Sequence, residues 1–174
     1  MSDLVRELEN FMSTSIMSKN ITPGNITVTP DQDAITSEID IAAPPELIFK
    51  AICDAETVRR RCPGLDVFEM DLRVGGRWCL EIRTAKPRRG YSVTRHDGEI
   101  LELEAPRLLV YTWFANFHED PKSRSVVRWE LTPTESGTHV KVTHSGLASE
   151  PAARADYAGG WPGVLEEIKT YAEK

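Results

Sequence analysis

The sequence predicts an α+β protein in which a curved antiparallel sheet of about six to seven strands wraps around a long C-terminal helix. Three observations lead to this prediction. One strand is followed by two short helices, a series of strands separated by turns comes next, and an amphipathic segment ends the chain. Because one face of such a sheet must be covered, we expect the last helix to pack on it and to leave a cavity between them.

Length and composition limit the classes of function. The chain has 174 residues, of which 40% are hydrophobic and 28% are charged, and its formal net charge is −6. This length suits one domain that is stable without disulfides or a structural metal. The excess of acidic over basic residues argues against a nucleic-acid partner, because nucleic-acid binding requires a basic face. No run of ~18 apolar residues is present, so no membrane span is expected.

The first residues are predicted to stand apart from the main domain. Within residues 3–13, Leu4, Leu8, Phe11 and Met12 recur at helical spacing and predict a short amphipathic helix. Residues 18–34 are rich in Pro, Gly, Asn, Thr and Asp, which is typical of a linker. We therefore divide the chain into an N-terminal segment with its linker, residues 1–34, and a domain over residues 35–174.

The domain is predicted to begin with a strand and two short helices. Residues 35–41 alternate between apolar and polar side chains, with Ser37 as the small polar member of the apolar face. Pro44 and Pro45 end this strand, and proline is tolerated in the first turn of the helix that follows. A second short helix is expected over residues 54–62.

A series of antiparallel strands is expected next. The turns between them are marked by Gly75-Gly76, Ala105-Pro106 and Glu135-Ser136-Gly137, and the basic residues 86–90 form a predicted hairpin loop. The predicted strands cover residues 67–72, 77–83, 92–104, 108–114, 126–131 and 139–144.

The C-terminal helix carries an apolar stripe over about three turns. Pro162 removes a helix hydrogen bond and follows two glycines, so a kink or break is expected there. The residues of the stripe are Trp161, Val164, Leu165, Ile168, Tyr171 and Ala172.

Large apolar side chains are the first candidates for a ligand site, because aromatic rings often line apolar cavities. All four tryptophans lie in predicted strands or in the last helix, and Leu80 shares a strand face with Trp78. The alternative is that these side chains form an ordinary core. The apolar residues predicted to bind the ligand are Trp78, Leu80, Trp113, Trp129 and Trp161.

Two polar residues are further candidates. Glu102 shares a strand face with Ile100, and His144 shares one with Val140 and Val142. If these faces point inwards, both polar groups would orient a ligand carbonyl or hydroxyl, and burial would raise the pKa of Glu102. The alternative is a hydrogen-bonded core histidine and a glutamate at the sheet edge. No residue is assigned a catalytic role.

The spacing of His and Cys residues predicts neither a metal site nor a cofactor. The four histidines, His96, His118, His139 and His144, form no H-x-x-x-H or H-x-H pair, and the three cysteines form no C-x-x-C pair. No glycine-rich phosphate loop is present. Reduced thiols and the lack of a secretory signal predict a cytoplasmic protein.

Five segments carry a resemblance to a known family. The chain resembles the START-like (SRPBCC) helix-grip superfamily and, within it, homologues of the C-terminal domain of the activator of the heat shock protein 90 ATPase. The resemblance covers residues 35–173 and implies the helix-grip fold. One departure is Arg60-Arg61-Cys62, where a tryptophan is common in the family. The segments are ITSEIDIAAPPELIFKAICDAE, DLRVGGRW, GEILELEAPRLLVYTW, VVRWELTPTESGTHVKVTHSGL and GGWPGVLEEIKTY.

The leading hypothesis is a protein that binds a hydrophobic or amphipathic small molecule between sheet and helix, with no defined catalytic activity. The resemblance implies two alternatives. One is a chaperone-associated interaction protein of the stress response, and the other is an enzyme similar to polyketide cyclases and aromatases, with Glu102 and His144 as its candidates. A monomer and a homodimer both remain open.

Overall fold

The computed structural model describes residues 26–174, without the side chains of residues 85, 86 and 88. Its centre is one antiparallel sheet of eight strands in the order β1-β2-β8-β7-β6-β5-β4-β3. The predicted α+β architecture with its series of antiparallel strands is thereby confirmed. The strands are β1 (Ile26–Val28), β2 (Ile35–Ile41), β3 (Leu65–Met70), β4 (Arg77–Arg88), β5 (Tyr91–Glu104), β6 (Leu108–Ala115), β7 (Ser125–Thr134) and β8 (Gly137–Ser145).

Three helices complete the described part of the chain: α1 (Pro45–Cys53), α2 (Ala55–Arg61) and α3 (Pro151–Ala172). Pro45 occupies the first turn of α1, where its missing N–H costs no helix bond. Asp54 separates the two short helices and caps α2, because its carboxylate accepts a hydrogen bond of 3.0 Å from the Thr57 amide. The predicted long C-terminal helix is confirmed as α3.

Two predictions about element ends were wrong. The linker predicted for residues 18–34 does not extend through Ile26–Val28, which pair with β2 as the edge strand β1. Of the kink or break expected at Pro162, the break does not occur, because α3 runs without interruption from Pro151 to Ala172. The amphipathic helix predicted for residues 3–13 lies outside the described residues.

The strand register places the side chains that matter below. Tyr111 on β6 pairs with Val127 on β7, which in turn pairs with His144 on β8. His144 pairs on its other side with Ile35 of β2. Because paired residues point to the same face of a sheet, this row projects into the interior, where α3 covers it. All four side chains are at most 6% exposed.

A β-bulge overturns the inward placement expected for Glu102. Ile100 pairs with Tyr111, but Glu102 pairs with Val110, so β5 contributes one extra residue between these two pairs. The bulge reverses the face of the residues that follow it. Ile100 is fully buried, whereas the Glu102 side chain is 54% exposed and pairs with Arg128 at 3.4 Å on the outer face.

Candidate binding site between the sheet and the C-terminal helix

A cluster of aromatic rings fills the space between the inner face of the sheet and α3. Trp113 lies at its centre, with its ring centroid 4.9 Å from that of Trp78 and 5.9 Å from that of Trp161. Trp161 in turn lies 5.5 Å from Trp129. Such separations are those of direct ring packing. The interior is therefore a contiguous aromatic surface built from strands β4, β6 and β7 and from helix α3.

The predicted apolar site residues lie in this interior. The four tryptophans are between 2% and 8% exposed. Leu80 is half-buried and packs against the same core. All five side chains therefore belong to the hydrophobic core or pack against it. Their role in binding a ligand stays a prediction.

His144 is the polar centre of the cluster and is completely buried. Its Nε2 lies 2.7 Å from Ser125 Oγ, and its Nδ1 accepts a hydrogen bond of 3.3 Å from Trp161 Nε1. Ser125 gives its only proton to the Trp113 carbonyl at 3.1 Å, so His144 must donate from Nε2. Burial, together with the neighbouring His118 and His96, lowers the pKa of His144 to about 3. His144 is therefore a neutral histidine of fixed tautomer.

A second buried hydrogen-bond group connects α3 to the segment after β6. The Tyr157 hydroxyl accepts from Trp113 Nε1 at 3.0 Å and lies 2.7 Å from His118 Nε2. Burial lowers the pKa of His118, and the nearby Glu150 carboxylate opposes this shift in part. Glu150 is itself fully buried, and its two oxygens accept from the amides of Glu119 and Asp120 at 3.0 Å each.

Every indole N–H of the cluster is already used within the protein. Trp78 donates to the carbonyl of Thr112 at 2.9 Å, and Trp129 donates to the Tyr111 hydroxyl at 2.9 Å. Trp113 and Trp161 donate to Tyr157 and His144 as described. The tryptophans thus offer a ligand flat apolar surface but no free donor.

Three other buried groups retain unused hydrogen-bonding capacity among the described residues. Ser37 Oγ and His118 Nδ1 have no hydrogen-bond partner there. Tyr111 accepts from Trp129, and no described group accepts the proton of its hydroxyl. Ser37, Tyr111 and His118 are 1%, 6% and 8% exposed, so bulk water does not satisfy them. Buried polar groups without partners are rare and call for an explanation.

Several polar residues of the interior were missed at the level of sequence. His96 projects inwards from β5, where the alternation with Thr94 and Ile100 is a signal that predicts it. Tyr111 lies in an almost wholly apolar strand, which hides the direction of its side chain. His118 lies in a loop, and Tyr157 precedes the apolar stripe that was recognised in α3, so neither was marked by periodicity.

A concavity of about 400 Å³ lies on the outer face of the sheet, and the cavity expected between the sheet and α3 stays a prediction. The outer concavity is open to solvent, and charged side chains of both signs surround it. Trp78 and Gly98 form part of its lining, so it lies directly behind the aromatic cluster. The charged residues of this outer groove are Arg77, Arg95, Arg124, Glu69, Asp97 and Glu99.

Neither a metal centre nor a membrane-spanning helix is found in the part of the chain that the structure describes. Within residues 26–174, no three His, Cys, Asp or Glu side chains come together in a way that would hold an ion. None of the helices in that range is long and apolar enough to cross a bilayer.

The curved sheet, the two short helices and the buried face of α3 define a helix-grip protein of the START-like superfamily. The family model described as Activator of Hsp90 ATPase homolog 1-like protein matches residues 42–173. The chain belongs to this family. No curated protein matches the chain.

Solved structures agree with this assignment. A Mesorhizobium loti protein is 27% identical, with a TM-score of 0.63 over 79% of this chain and 95% of its own. A Rhizobium loti protein is 23% identical, with a TM-score of 0.66 over 84% of this chain and 99% of its own. A Chromobacterium violaceum protein is 20% identical, with a TM-score of 0.65 over 82% of this chain and 99% of its own. At such identities the last two comparisons show the fold alone.

Proposed function

We propose that the protein binds a small, uncharged, hydrophobic or amphipathic molecule between the inner face of the sheet and α3, and that it catalyses no reaction there. The observation that carries this proposal is the unused hydrogen-bonding capacity of Ser37, Tyr111 and His118 inside an aromatic interior. Leaving a buried polar group unsatisfied costs about 1–3 kcal/mol. A ligand that supplies partners for these groups would offset that cost.

The polar groups of the interior suggest the chemistry of the ligand. Tyr111 has a proton to donate, so an acceptor such as a carbonyl or ether oxygen is expected beside it. His144 is neutral near pH 7, and the oxygens of Glu150 already accept from two amides. Neutral His144 therefore offers no counter-charge to a charged ligand, and the four indoles favour a flat apolar surface.

The environment of His144 supports binding rather than catalysis. A general acid or base needs a pKa near the working pH and a free position facing the substrate. Both ring nitrogens of His144 are engaged, and its pKa lies far below 7. The other candidate for an enzyme, Glu102, lies on the outer face. The cyclase-like alternative therefore has no support from these two residues.

The test is ligand occupancy followed by binding of a defined probe. Native mass spectrometry of the purified full-length protein should show a bound species that organic extraction removes. The emptied protein should then bind the uncharged dye Nile red at one site, and the Tyr111→Phe variant should bind it about tenfold more weakly. Tyr91→Phe is the matched control, because Tyr91 is 43% exposed.

Ser37→Ala provides a second arm, with the exposed Ser92→Ala as its control. Thermal unfolding of each variant separates weaker binding from weaker folding. The proposal fails if no species co-purifies and Nile red does not bind saturably. It also fails if Tyr111→Phe and Ser37→Ala both bind like their controls.

A chaperone-associated function is the second candidate, because the matching family is described by activation of the Hsp90 ATPase. An exposed aliphatic patch supports it. Leu72, Val74 and Leu101 are 41%, 62% and 42% exposed. Gly75 and Gly76 hydrogen-bond to Ile100, next to Leu101, which brings the loop carrying Leu72 and Val74 against β5.

Purified chaperone and an ATPase assay test this candidate. If the patch docks on the chaperone, Val74→Ser should weaken both binding and any change in ATPase rate, whereas Val28→Ser on β1 should not. Equal binding by both variants excludes the patch as the docking surface, and no binding by the wild-type protein removes the candidate. A cytoplasmic location fits either function, since the three cysteines are free thiols.

A further inference from the structure

The aromatic rings pack directly on one another, so a ligand can enter only if part of the wall moves. We propose that the N-terminal half of α3, residues 151–158, is a gate that pivots at residues 159–163 and is latched by Arg89 and Asp156. This inference rests on the proposed function and concerns access to the same interior. It is carried by the pivot, the unequal anchoring of the two halves of α3, and the latch.

The pivot is the sequence Gly159-Gly160-Trp161-Pro162-Gly163 in the middle of α3. A Cβ atom built on any of the three glycines would meet no atom within 4 Å. Neither close packing nor a positive φ therefore requires glycine at these positions. Glycine and proline are the weakest helix formers, and Pro162 cannot donate a helix hydrogen bond. These residues leave α3 continuous but weak at one point.

The C-terminal half of α3 is firmly anchored. Leu165 and Ile168 are at most 1% exposed. The Glu167 carboxylate pairs with Arg61 of α2 at 3.0 Å, and the two side chains are only 23% and 9% exposed. At the end of the helix, Glu173 accepts a hydrogen bond of 2.8 Å from the Ala42 amide. This half is therefore expected to stay in place.

The N-terminal half buries no large aliphatic side chain, but its Tyr157 ring is 8% exposed and packs 4.6 Å from the His144 ring. Among its apolar side chains, the small Ala153 is fully buried. Arg154 donates to the Gln32 carbonyl at 2.7 Å, and the Tyr157 hydroxyl makes the two buried contacts described above. Outward movement of this half breaks these contacts but exposes no large aliphatic side chain, whereas the same movement of the C-terminal half would expose Leu165 and Ile168. If this half swings outwards, Tyr157 leaves the cluster and uncovers His118 and Trp113.

The latch is a contact between the β4–β5 hairpin and α3. Arg89 stands at the hairpin tip with a left-handed φ of 49° and pairs with Asp156 at 3.2 Å. Its guanidinium also donates to the Phe117 carbonyl at 3.4 Å and lies 5.4 Å from the centre of the Phe117 ring. One arginine thus holds three parts of the chain together at the mouth of the interior.

Stiffening the pivot is the first experiment. The triple variant Gly159→Ala/Gly160→Ala/Gly163→Ala should raise the equilibrium constant for helix formation by up to about fivefold at each position. If opening controls access, stopped-flow association and dissociation rates of Nile red should both fall at least about tenfold, while Kd changes less than about twofold. Thr170→Ala is the control, because it strengthens the anchored half of the same helix.

Releasing the latch is the second experiment. Arg89→Gln should raise both rates about threefold, as expected for a partly exposed ion pair. Arg107→Gln, which removes an exposed pair with Glu104, should leave them unchanged. Wild-type rates in both the pivot variant and the latch variant would overturn the gate and leave the proposed function intact.

Hydrogen exchange tests the gate without any ligand. In the wild-type protein, amides of residues 154–161 should exchange at least about tenfold faster than those of residues 165–172, and the triple variant should reduce this difference. Equal exchange in the two halves would overturn the gate. If Nile red does not bind at all but the exchange pattern is as expected, the proposed function fails and the mobility of the helix stands.

Discussion

The two faces of strands β4, β5 and β6 differ in how they use polar side chains. On the inner face, buried polar groups bind buried partners, as the Tyr111 hydroxyl of β6 does when it accepts a hydrogen bond of 2.9 Å from Trp129 of β7. On the outer face, Arg95 pairs with both Glu81 and Asp97 at 2.7 and 3.1 Å, and its side chain is 50% exposed. The same strands therefore alternate between a buried network and a solvated one.

This difference indicates which face contributes more to the stability of the fold. A buried polar group that loses its partner keeps its desolvation cost, whereas an exposed ion pair exchanges its partner for water at little cost. Substitutions on the inner face should therefore have large effects on stability and on ligand binding. Substitutions on the outer face should have small ones, although the same strands carry both.

The largest effect is expected at the centre of the inner cluster. Trp113→Ala removes a ring that packs on Trp78, His144 and Trp161, and it should lower the free energy of unfolding by about 3–5 kcal/mol. Urea unfolding followed by circular dichroism measures this loss. The control is Tyr91→Ala at an exposed position, and a loss at Trp113 no greater than at Tyr91 would contradict a packed interior.

An intermediate effect is expected from the burial of His144 in its neutral form. Its pKa falls from 6.5 to about 3 on folding. Between these two pH values, His144 is protonated in the unfolded chain and neutral in the folded protein. His144 therefore costs the folded state no stability above pH 6.5, and the free energy of unfolding decreases as the pH falls from 6.5 towards 3. Between pH 7 and pH 5, His144 should account for a loss of about 2 kcal/mol.

The contribution of His144 is isolated by substitution. His118 acts in the same direction, so the measurement is the difference in pH dependence between the wild-type protein and His144→Gln. The variant should be less stable overall but should lose less stability between pH 7 and pH 5. The control is His139→Gln on the outer face, and identical slopes in all three proteins would refute the neutral buried state.

The smallest effect is expected on the outer face. Arg95→Gln removes both ion pairs, yet it should change the free energy of unfolding by less than about 1 kcal/mol, because the pairs are half exposed. It should also leave Nile red affinity unchanged. A loss as large as that in Trp113→Ala would show that the two faces do not differ as described.

The parts of the fold that follow simple periodicity could be predicted from the sequence. The alternation over residues 35–41 and 77–83 correctly gave strands and their inner faces, since burial of one face imposes a period of two. The same rule put Trp78, Trp129 and His144 on strand faces that are buried in the structure. It failed for Glu102, because a one-residue bulge shifts the phase without any mark in the local sequence.

The remaining site residues depend on contacts that are distant in sequence. His118 follows a strand in a polar segment, and only its approach to Tyr157, 39 residues away, makes it part of the interior. Arg89 belongs to a hairpin expected to be a solvated loop, but it reaches α3. Ser37 was recognised as polar on an apolar face, and its lack of a partner is a property of the folded protein.

The Trp78 side chain is accessible from both faces of the sheet because residue 98, beside its indole, is glycine. Its Nε1 donates to the Thr112 carbonyl past Gly98, where a Cβ atom would lie 2.6 Å from that nitrogen. The indole touches the rings of Tyr111 and Trp113 on one side and lines the outer groove on the other. The consequence is spectroscopic: a molecule bound on either side of the sheet would change the surroundings of the Trp78 indole and therefore its fluorescence, with no label attached.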